Sequence, residues 1–338
     1  MKITKITTTI KVIALKTPFI TALRRVENVE FVRVEVSCDN AMRAFGEAPA
    51  TMAITGENLQ IILSCINSLK KELISKTPHE ALIVLHDSKI GSSSKAALDM
   101  ALMSLMAKEK KVPLYEYLGA KSKTKLQTDV TISLNSVDKM LHDAQEACES
   151  GMNVLKVKLG SDIAHAIEVT KTLSTRLPQA KLLIDANQAW SLKDSLLFID
   201  AMSETEIELI EQPVKESDLN ALKSIANATR IPILADESAF DLEDVKRVIN
   251  SKSADMINVK LMKCGGLSKA VEILEYAREK NVKCMLGSML EGPISINAAI
   301  SLAMAYVDVI KYVDLDSPLL YKTPSEELEF CFDGSFIV

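Results

Sequence analysis

The sequence contains no CxxC pair, no run of basic residues and no apolar stretch that reads as a membrane span. Each absence excludes something. Six cysteines (Cys38, Cys65, Cys148, Cys264, Cys284 and Cys331) lie scattered and mostly in apolar settings, a pattern of reduced thiols in a cytoplasm rather than a disulfide framework. A net charge of −5 without a basic cluster argues against nucleic acid or an anionic membrane as a partner. The opening "MKITKITTTIKVIAL" alternates like a strand and lacks the apolar block and small-residue cleavage site of a signal peptide. The longest apolar tract, residues 293–310, is broken by Ser295, Asn297 and Asp308, and is expected to be a buried helix running into a strand. Histidine is scarce as well. His79, His86, His142 and His165 all fall in helical or linking segments, so a histidine-ligated metal is not expected.

What is present suits a large globular chain. The 338 residues are 48% apolar, enough for a sizeable core in one large domain or two. Up to about residue 57 the chain alternates like antiparallel strands, and from Asn58 to Leu118 apolar residues recur at helical spacing. From Thr128 the rhythm becomes strand then helix, repeated. Eight strand candidates follow, "TDVTISL", "NVLKVKLG", "AKLLIDANQ", "IELIEQPV", "IPILADES", "DMINVKLMK", "VKCMLGSML" and "VDVIKYVDLD". A near-constant period of this kind implies parallel pairing and a closed barrel more than an open sheet.

The ends of those strands carry charge. Lys156 and Lys158 share one face of the second strand, because strand side chains alternate. Asp185 and Asn187 end the third strand, Glu211 the fourth, Asp236 and Glu237 the fifth, Lys260 the sixth, Ser288 the seventh, and Asp314 and Asp316 the eighth. From Lys158 through Asp185, Glu211 and Asp236 to Lys260 the intervals are 27, 26, 25 and 24 residues. In a barrel all these positions open onto the C-terminal mouth, where active sites of such folds lie. Single charged strand ends are commonly just solvated, but five aligned ones indicate a site. Asp185, Glu211 and Asp236 would repel one another unless a cation lay between them. An all-oxygen set suits Mg²⁺, with Mn²⁺ less common.

With these motifs in order, "KVK" (156–158), "DAN" (185–187), "EQP" (211–213), "ADES" (235–238) and "VKLMKCGG" (259–266), together with "GEA" (46–48), the chain resembles the enolase superfamily and its muconate-lactonizing-enzyme subgroup. The resemblance implies a (β/α)7β modified TIM barrel under an α+β N-terminal capping domain. The expected division is a cap over 1–120, a barrel over 121–317 and a segment over 318–338 returning to the cap. It implies one Mg²⁺ per subunit on Asp185, Glu211 and Asp236, and abstraction of a proton α to a substrate carboxylate. Lys158 and Lys260 would act as acid and base from opposite faces, and Lys156 would stabilise the enediolate. Each lysine's charge, together with the nearby metal, is expected to favour the neutral amine of its neighbour. The mandelate-racemase and acid-sugar-dehydratase branches are disfavoured, since no histidine lies near the seventh strand's end.

Asp314 and Asp316 bear on the substrate. They add two anions to an acidic mouth, and a substrate with a free ammonium group would satisfy them. This D-x-D resembles the signature with which dipeptide epimerases grip an N-terminal amine. Arg24, in "FITALRRVEN", resembles the arginine that binds the substrate glutamate in L-Ala-D/L-Glu epimerases, with Arg25 a near competitor. Thr131 and Ser288 match substrate-contacting positions on the first and seventh strands. The expectation is a Mg²⁺-dependent epimerase of L-Ala-D/L-Glu and related dipeptides from cell-wall peptide turnover. An N-acylamino-acid racemase or a cycloisomerase remains the alternative. A non-catalytic binding module would show decay of the lysine and carboxylate set, and none is visible. A homo-oligomer is left open.

Overall fold

A computed structural model describes residues 1–21 and 25–338. Its first part is a three-stranded antiparallel sheet of Ile3–Ile20, Arg25–Cys38 and Arg43–Pro49, in chain order. Helices Leu59–Leu73 and Ser92–Glu109 pack on it, and Pro78–Asp87 packs on those two helices. Helix Ser92–Glu109 is buried nearly all round, which explains why its apolar residues show no single stripe.

The remainder is a barrel. Eight parallel strands lie side by side in sequence order: Val130–Ile132, Val154–Lys158, Lys181–Asp185, Leu209–Glu211, Ile233–Ala235, Met256–Lys260, Lys283–Gly287 and Ile310–Asp314. The ring closes between first and eighth, where Thr128 bridges Val313 and the Asp129 N–H donates to the Val313 carbonyl at 3.1 Å. All eight strands were legible as strand candidates, and the apolar tract at 293–310 is a buried helix, Pro293–Ala305, leading into the eighth. Leu155, Val157, Ile184, Ile210, Ile257, Val259 and Leu286 face outward onto the helices. No helix among the described residues is long and apolar enough to cross a membrane, and all six cysteines are free thiols.

Three helices begin after a glycine and lack a capping side chain of their own: Ser92–Glu109 after Gly91, Leu267–Glu279 after Gly266 and Pro293–Ala305 after Gly292. Helix N-termini leave N–H groups unpaired and favour negative charge. A buried carboxylate from elsewhere in the chain fills each role. Glu57 accepts from the Ser93 and Ser94 N–H groups at 2.8 and 3.2 Å, and Asp99 from the Ser268 N–H at 3.2 Å. Glu47, of the "GEA" motif, accepts from Ile294 and Ser295 at 2.9 and 3.2 Å and pairs with Arg33 at 2.6 Å. A side chain at Gly292 would meet the Glu47 carboxylate at 2.5 Å, so the glycine makes room for its own cap. Two of these three contacts join the cap to the barrel.

The tail runs along the cap first. Tyr321 bridges Leu15, Lys322 N–H donates to Ala14 at 2.8 Å, and Glu327 pairs with Arg33 at 2.5 Å. It then continues to the barrel floor, where Phe332–Asp333 pairs with Phe336–Ile337 and the latter pairs with Leu126–Gln127.

Candidate active site

Period-two alternation builds the barrel interior in layers. At the bottom, Val154, Leu183, Leu209, Leu234, Met256, Met285 and Tyr312, one from each strand after the first, form a closed apolar cluster. Two residues further along the second, third, fourth, fifth, sixth and eighth strands stand Lys156, Asp185, Glu211, Asp236, Asn258 and Asp314. The apolar floor is thus covered by an ionic layer, and Lys158 and Lys260 lie two residues beyond Lys156 and Asn258. A cavity opens above, lined by Thr131, Lys158, Asn187, Asp236, Lys260, Ser288, Asp314 and Asp316 from the barrel. Phe19, Thr21, Ala53 and Ile54 line it from the cap. Lys156, Asp185 and Glu211 sit in the layer beneath, with no exposed surface.

Ammonium groups and carboxylates interlock in this layer. Lys156 Nζ lies 2.5 Å from Asp314 Oδ2, 2.7 Å from Glu211 Oε2 and 3.5 Å from Asp185 Oδ2. Lys158 Nζ donates to Asp185 Oδ2 at 2.5 Å, and Lys260 Nζ to Asp236 Oδ2 at 2.6 Å. Lys158 and Lys260 stand on the second and sixth of eight strands, on opposite sides of the barrel, and line the same cavity.

The sequence-based expectation joins each lysine's charge to that of a nearby metal in favouring the neutral amine of its neighbour; the protein's own carboxylates act in the opposite direction. Burial does press Lys156 toward the neutral amine, but Asp314, Glu211 and Asp185 outweigh it and hold its pKa well above the ordinary lysine value. Lys260 is likewise raised against the effect of burial, chiefly by Asp236. The reason is proximity: Lys156 and Lys260 each have a carboxylate oxygen within 2.6 Å. Asp236 is correspondingly held far below the usual carboxylate range, because Lys260 and Lys263 overcome its burial.

Several positioning groups are absent from the sequence-based site. Lys263 Nζ donates to Asp236 Oδ1 and to the Asp236 carbonyl, each at 2.6 Å, and to the Asn258 carbonyl at 2.8 Å. Asn258 Nδ2 donates to Glu211 Oε1 at 2.7 Å. Gln212, bent to a left-handed φ of 36°, satisfies all of its side-chain amide. Its oxygen accepts from Asp236 and Ser238 N–H at 3.0 Å each, and its nitrogen donates to Ser238 Oγ at 2.8 Å and to the Val214 carbonyl at 3.0 Å. The side chain of "EQP" therefore fixes the backbone of "ADES". Asn187 of "DAN", also left-handed at φ 44°, turns its N–H back to Asp185 Oδ1 at 2.9 Å. The signals were present: Asn258 shares a strand face with Lys260, and Lys263 and Gln212 lie inside quoted motifs.

Of the expected substrate contacts, Thr131 N–H donates to Asp316 Oδ2 at 2.7 Å, and the Ser288 hydroxyl donates to the Asp314 carbonyl at 3.3 Å. Asp316 does not continue the eighth strand. It has helical backbone angles at the start of the turn Ser317–Leu320, yet it still faces the cavity. Arg24 lies outside the described residues. Arg25 is exposed, 3.5 Å from Glu27, and lines a neighbouring groove rather than the cavity.

Gly287, at the end of the seventh strand, leaves space for this machinery. A β-carbon there would stand 2.7 Å from Asn258 Oδ1 and 2.9 Å from Lys260 Cε. Both neighbours are side-chain ends, so Gly287→Ala is expected to fold but to displace Lys260. A displacement near 1 Å lowers kcat on the order of a hundredfold. Thermal melting beside steady-state rates checks this, and a wild-type kcat would show that Lys260 has slack.

The residues that would hold a cation meet a chemical test of fit. Asp185, Glu211 and Asp236 end three successive strands and offer only oxygen. Buried oxygens nearby lack hydrogen-bond partners, namely Asn187 Oδ1, Asn258 Oδ1 and both oxygens of Glu237, and Glu211 Oε2 has only the shared Lys156 ammonium. Burial, with Asp236 and Asp185 beside it, pushes Glu237 up to about 8. Such a surplus of acceptors fits a hard divalent cation. A second acidic group, Asp129, Asp314 and Asp316, is tighter still, with oxygens within 4.8 Å of one another.

Comparison with known proteins agrees with this architecture. Residues 3–119 match the mandelate racemase / muconate lactonizing enzyme N-terminal domain, and residues 139–331 match the enolase C-terminal domain-like family. The L-amino acid-D/L-Glu epimerase of Sulfurimonas denitrificans is 57% identical over 335 residues, covering 99% of this chain and 98% of that protein. The substrate-liganded L-Ala-D/L-Glu epimerase of Bacillus subtilis superposes with a TM-score of 0.95 at 39% identity, covering 100% of this chain and 96% of its own. The dipeptide epimerase of Enterococcus faecalis, complexed with Mg and L-Leu-L-Tyr, superposes at 0.92 with 32% identity and full coverage of both chains.

Proposed function

The chain belongs to the mandelate racemase / muconate lactonizing enzyme family of enolase-like proteins, and on that footing we propose that it is a dipeptide epimerase. It inverts the α-carbon of a dipeptide's C-terminal residue, with L-Ala-D/L-Glu and related dipeptides as substrates. Such dipeptides arise in bacterial cell-wall peptide turnover, which makes the cell interior the proposed setting. The observation that carries the reading is one cavity lined both by two lysines on opposite strands and by the Asp314/Asp316 pair. The first pair suits inversion and the second suits an ammonium group. The relatives named for D/L-Glu epimerisation and the neighbours holding dipeptides support the same choice.

The chemistry follows from the residues. The substrate's α-carbon lies between Lys158 and Lys260. One lysine, as the neutral amine, takes the α-proton from one face, and the other, as the ammonium, returns a proton to the opposite face. Negative charge passes meanwhile onto the substrate carboxylate, beside which Lys156 stands as a permanent cation. For Lys260 to accept a proton its partner Asp236 must be engaged elsewhere, since burial then favours the neutral amine. Mg²⁺ held by Asp185, Glu211 and Asp236 supplies positive charge for the substrate carboxylate. Asp314 and Asp316 hold the N-terminal ammonium, and Arg24 is proposed for the glutamate side chain.

Incubation of a dipeptide library in D₂O, read by mass spectrometry, tests the reaction, because α-proton exchange adds mass. L-Ala-L-Glu is expected to exchange and its N-acetyl form to react far more slowly. Asp316→Asn should lower kcat/KM on the free dipeptide on the order of a hundredfold, the value of one charge-assisted hydrogen bond. Arg24→Met should impair L-Ala-L-Glu more than L-Ala-L-Leu. Acetylated substrates turned over better than free ones would move the assignment to an N-acylamino-acid racemase.

A further inference from the structure

Asp129 has no part in the reaction as described, yet it lies behind the residues that hold the ammonium. It precedes the first strand, is 1% exposed, and neither carboxylate oxygen has a hydrogen-bond partner. One of its oxygens lies within 4.8 Å of an oxygen of Asp314 and of Asp316. The charged groups facing it are those two aspartates from the eighth strand's end and Lys156 from the second strand. Lys156 is already divided among Asp314, Glu211 and Asp185. Three carboxylates this close, with a share of one lysine, cannot all be ionised. Asp314 has the Lys156 ammonium at 2.5 Å and Asp316 has the Thr131 N–H at 2.7 Å, whereas Asp129 has neither. The proton therefore belongs on Asp129. Burial and the adjacent Asp314 push its pKa the same way, well above the usual carboxylate range.

We propose that Asp129 is a third acid of the ammonium site, a neutral carboxyl that donates its proton in a hydrogen bond to Asp314 and holds that carboxylate toward the substrate's amine. This rests on the proposed dipeptide specificity and deepens it. Asp129 touches no substrate; it is a positioning residue. The neutral carboxyl also sets the charge of the site, leaving two carboxylates to face Lys156 and the incoming ammonium instead of three. A divalent cation on the same three residues is the competing use.

The test compares L-Ala-L-Glu with N-propionyl-L-glutamate, the same molecule without its amino group. In the wild type the ratio of their kcat/KM values should be at least about tenfold in favour of the dipeptide, the smaller end of a charged hydrogen bond's worth. Asp129→Ala should collapse that ratio toward one by lowering dipeptide turnover, chiefly through KM. Asp129→Asn keeps a neutral donor and should retain most of the ratio. Infrared difference spectra of substrate-free enzyme at pH 7 should show a protonated carboxyl band that Asp129→Asn lacks. Equal losses on both substrates in Asp129→Ala would indicate a merely structural role and overturn the proposal. So would a ratio lost equally in Asn and Ala variants, or no missing infrared band. Loss of Mg²⁺ binding in Asp129→Asn, with binding intact in Asp185→Asn, would overturn it in favour of the cation. A wild type that fails to prefer the dipeptide refutes the substrate reading instead, while the infrared result still decides the state of Asp129.

Discussion

Lys158→Ala and Lys260→Ala should each abolish epimerisation, lowering the rate at least about a thousandfold, within the range removed with a general acid or base. Inversion needs a proton removed on one face and delivered on the other, and these lysines stand on opposite strands lining one cavity. The informative readout is isotopic. In D₂O each single variant keeps one base, so it should still exchange the α-proton of one stereoisomer without inverting it, and the two variants should select opposite stereoisomers. That pattern also shows that the variant site is intact. The check matters because Lys158 and Lys260 hold Asp185 and Asp236 at 2.5 and 2.6 Å, and unpairing a buried carboxylate is destabilising. A variant that inverts substrate at the wild-type rate would remove that lysine from the reaction.

Stripping the metal with EDTA should eliminate activity and added Mg²⁺ should restore it, with Mn²⁺ as a partial substitute. Asp185, Glu211 and Asp236 form a buried row that relies on lysines for neutralisation, and the lysines are wanted for proton transfer. Calorimetric titration of the stripped protein should give one Mg²⁺ site per chain. Glu211→Gln should abolish it, since Glu211 is a buried carboxylate whose Oε2 has only an ammonium shared with Asp314 and Asp185. Activity that survives complete removal of divalent cations would end the assignment.

The sequence announced the barrel because burial on both faces leaves strands as short apolar runs at constant spacing, and it announced Lys158, Asp185, Glu211 and Lys260 because each is the last residue of its strand. What it hid depends on distance across the barrel. Asp129 looks like any residue at the edge of a strand, and only closure between Thr128 and Val313 brings it beside Asp314. Lys263 follows its strand by three residues, and a single helical turn, Leu261–Cys264, carries it back under Asp236. The carboxylates that pair with the lysines lie on other strands, so spacing along one strand does not show them. Asp316 reached the cavity although the strand ended before it, through a turn that alternation alone does not describe.

The shared helix caps bear on the order in which this chain assembles. Glu47 belongs to the portion synthesised first, and the N–H groups it caps lie 247 and 248 residues further on. Asp99 waits 169 residues for Ser268. Until the seventh strand and the helix after it have left the ribosome, the cap carries acidic groups aimed at helix ends that do not yet exist. Contacts of such sequence separation close late, because loop entropy must be overcome before they contribute. The nascent cap is therefore an unfinished surface, and the last quarter of the chain completes both halves together. Truncation after the sixth strand should leave the cap without the Pro293–Ala305 end of its docking face, a natural substrate for chaperones rather than a stable half-enzyme.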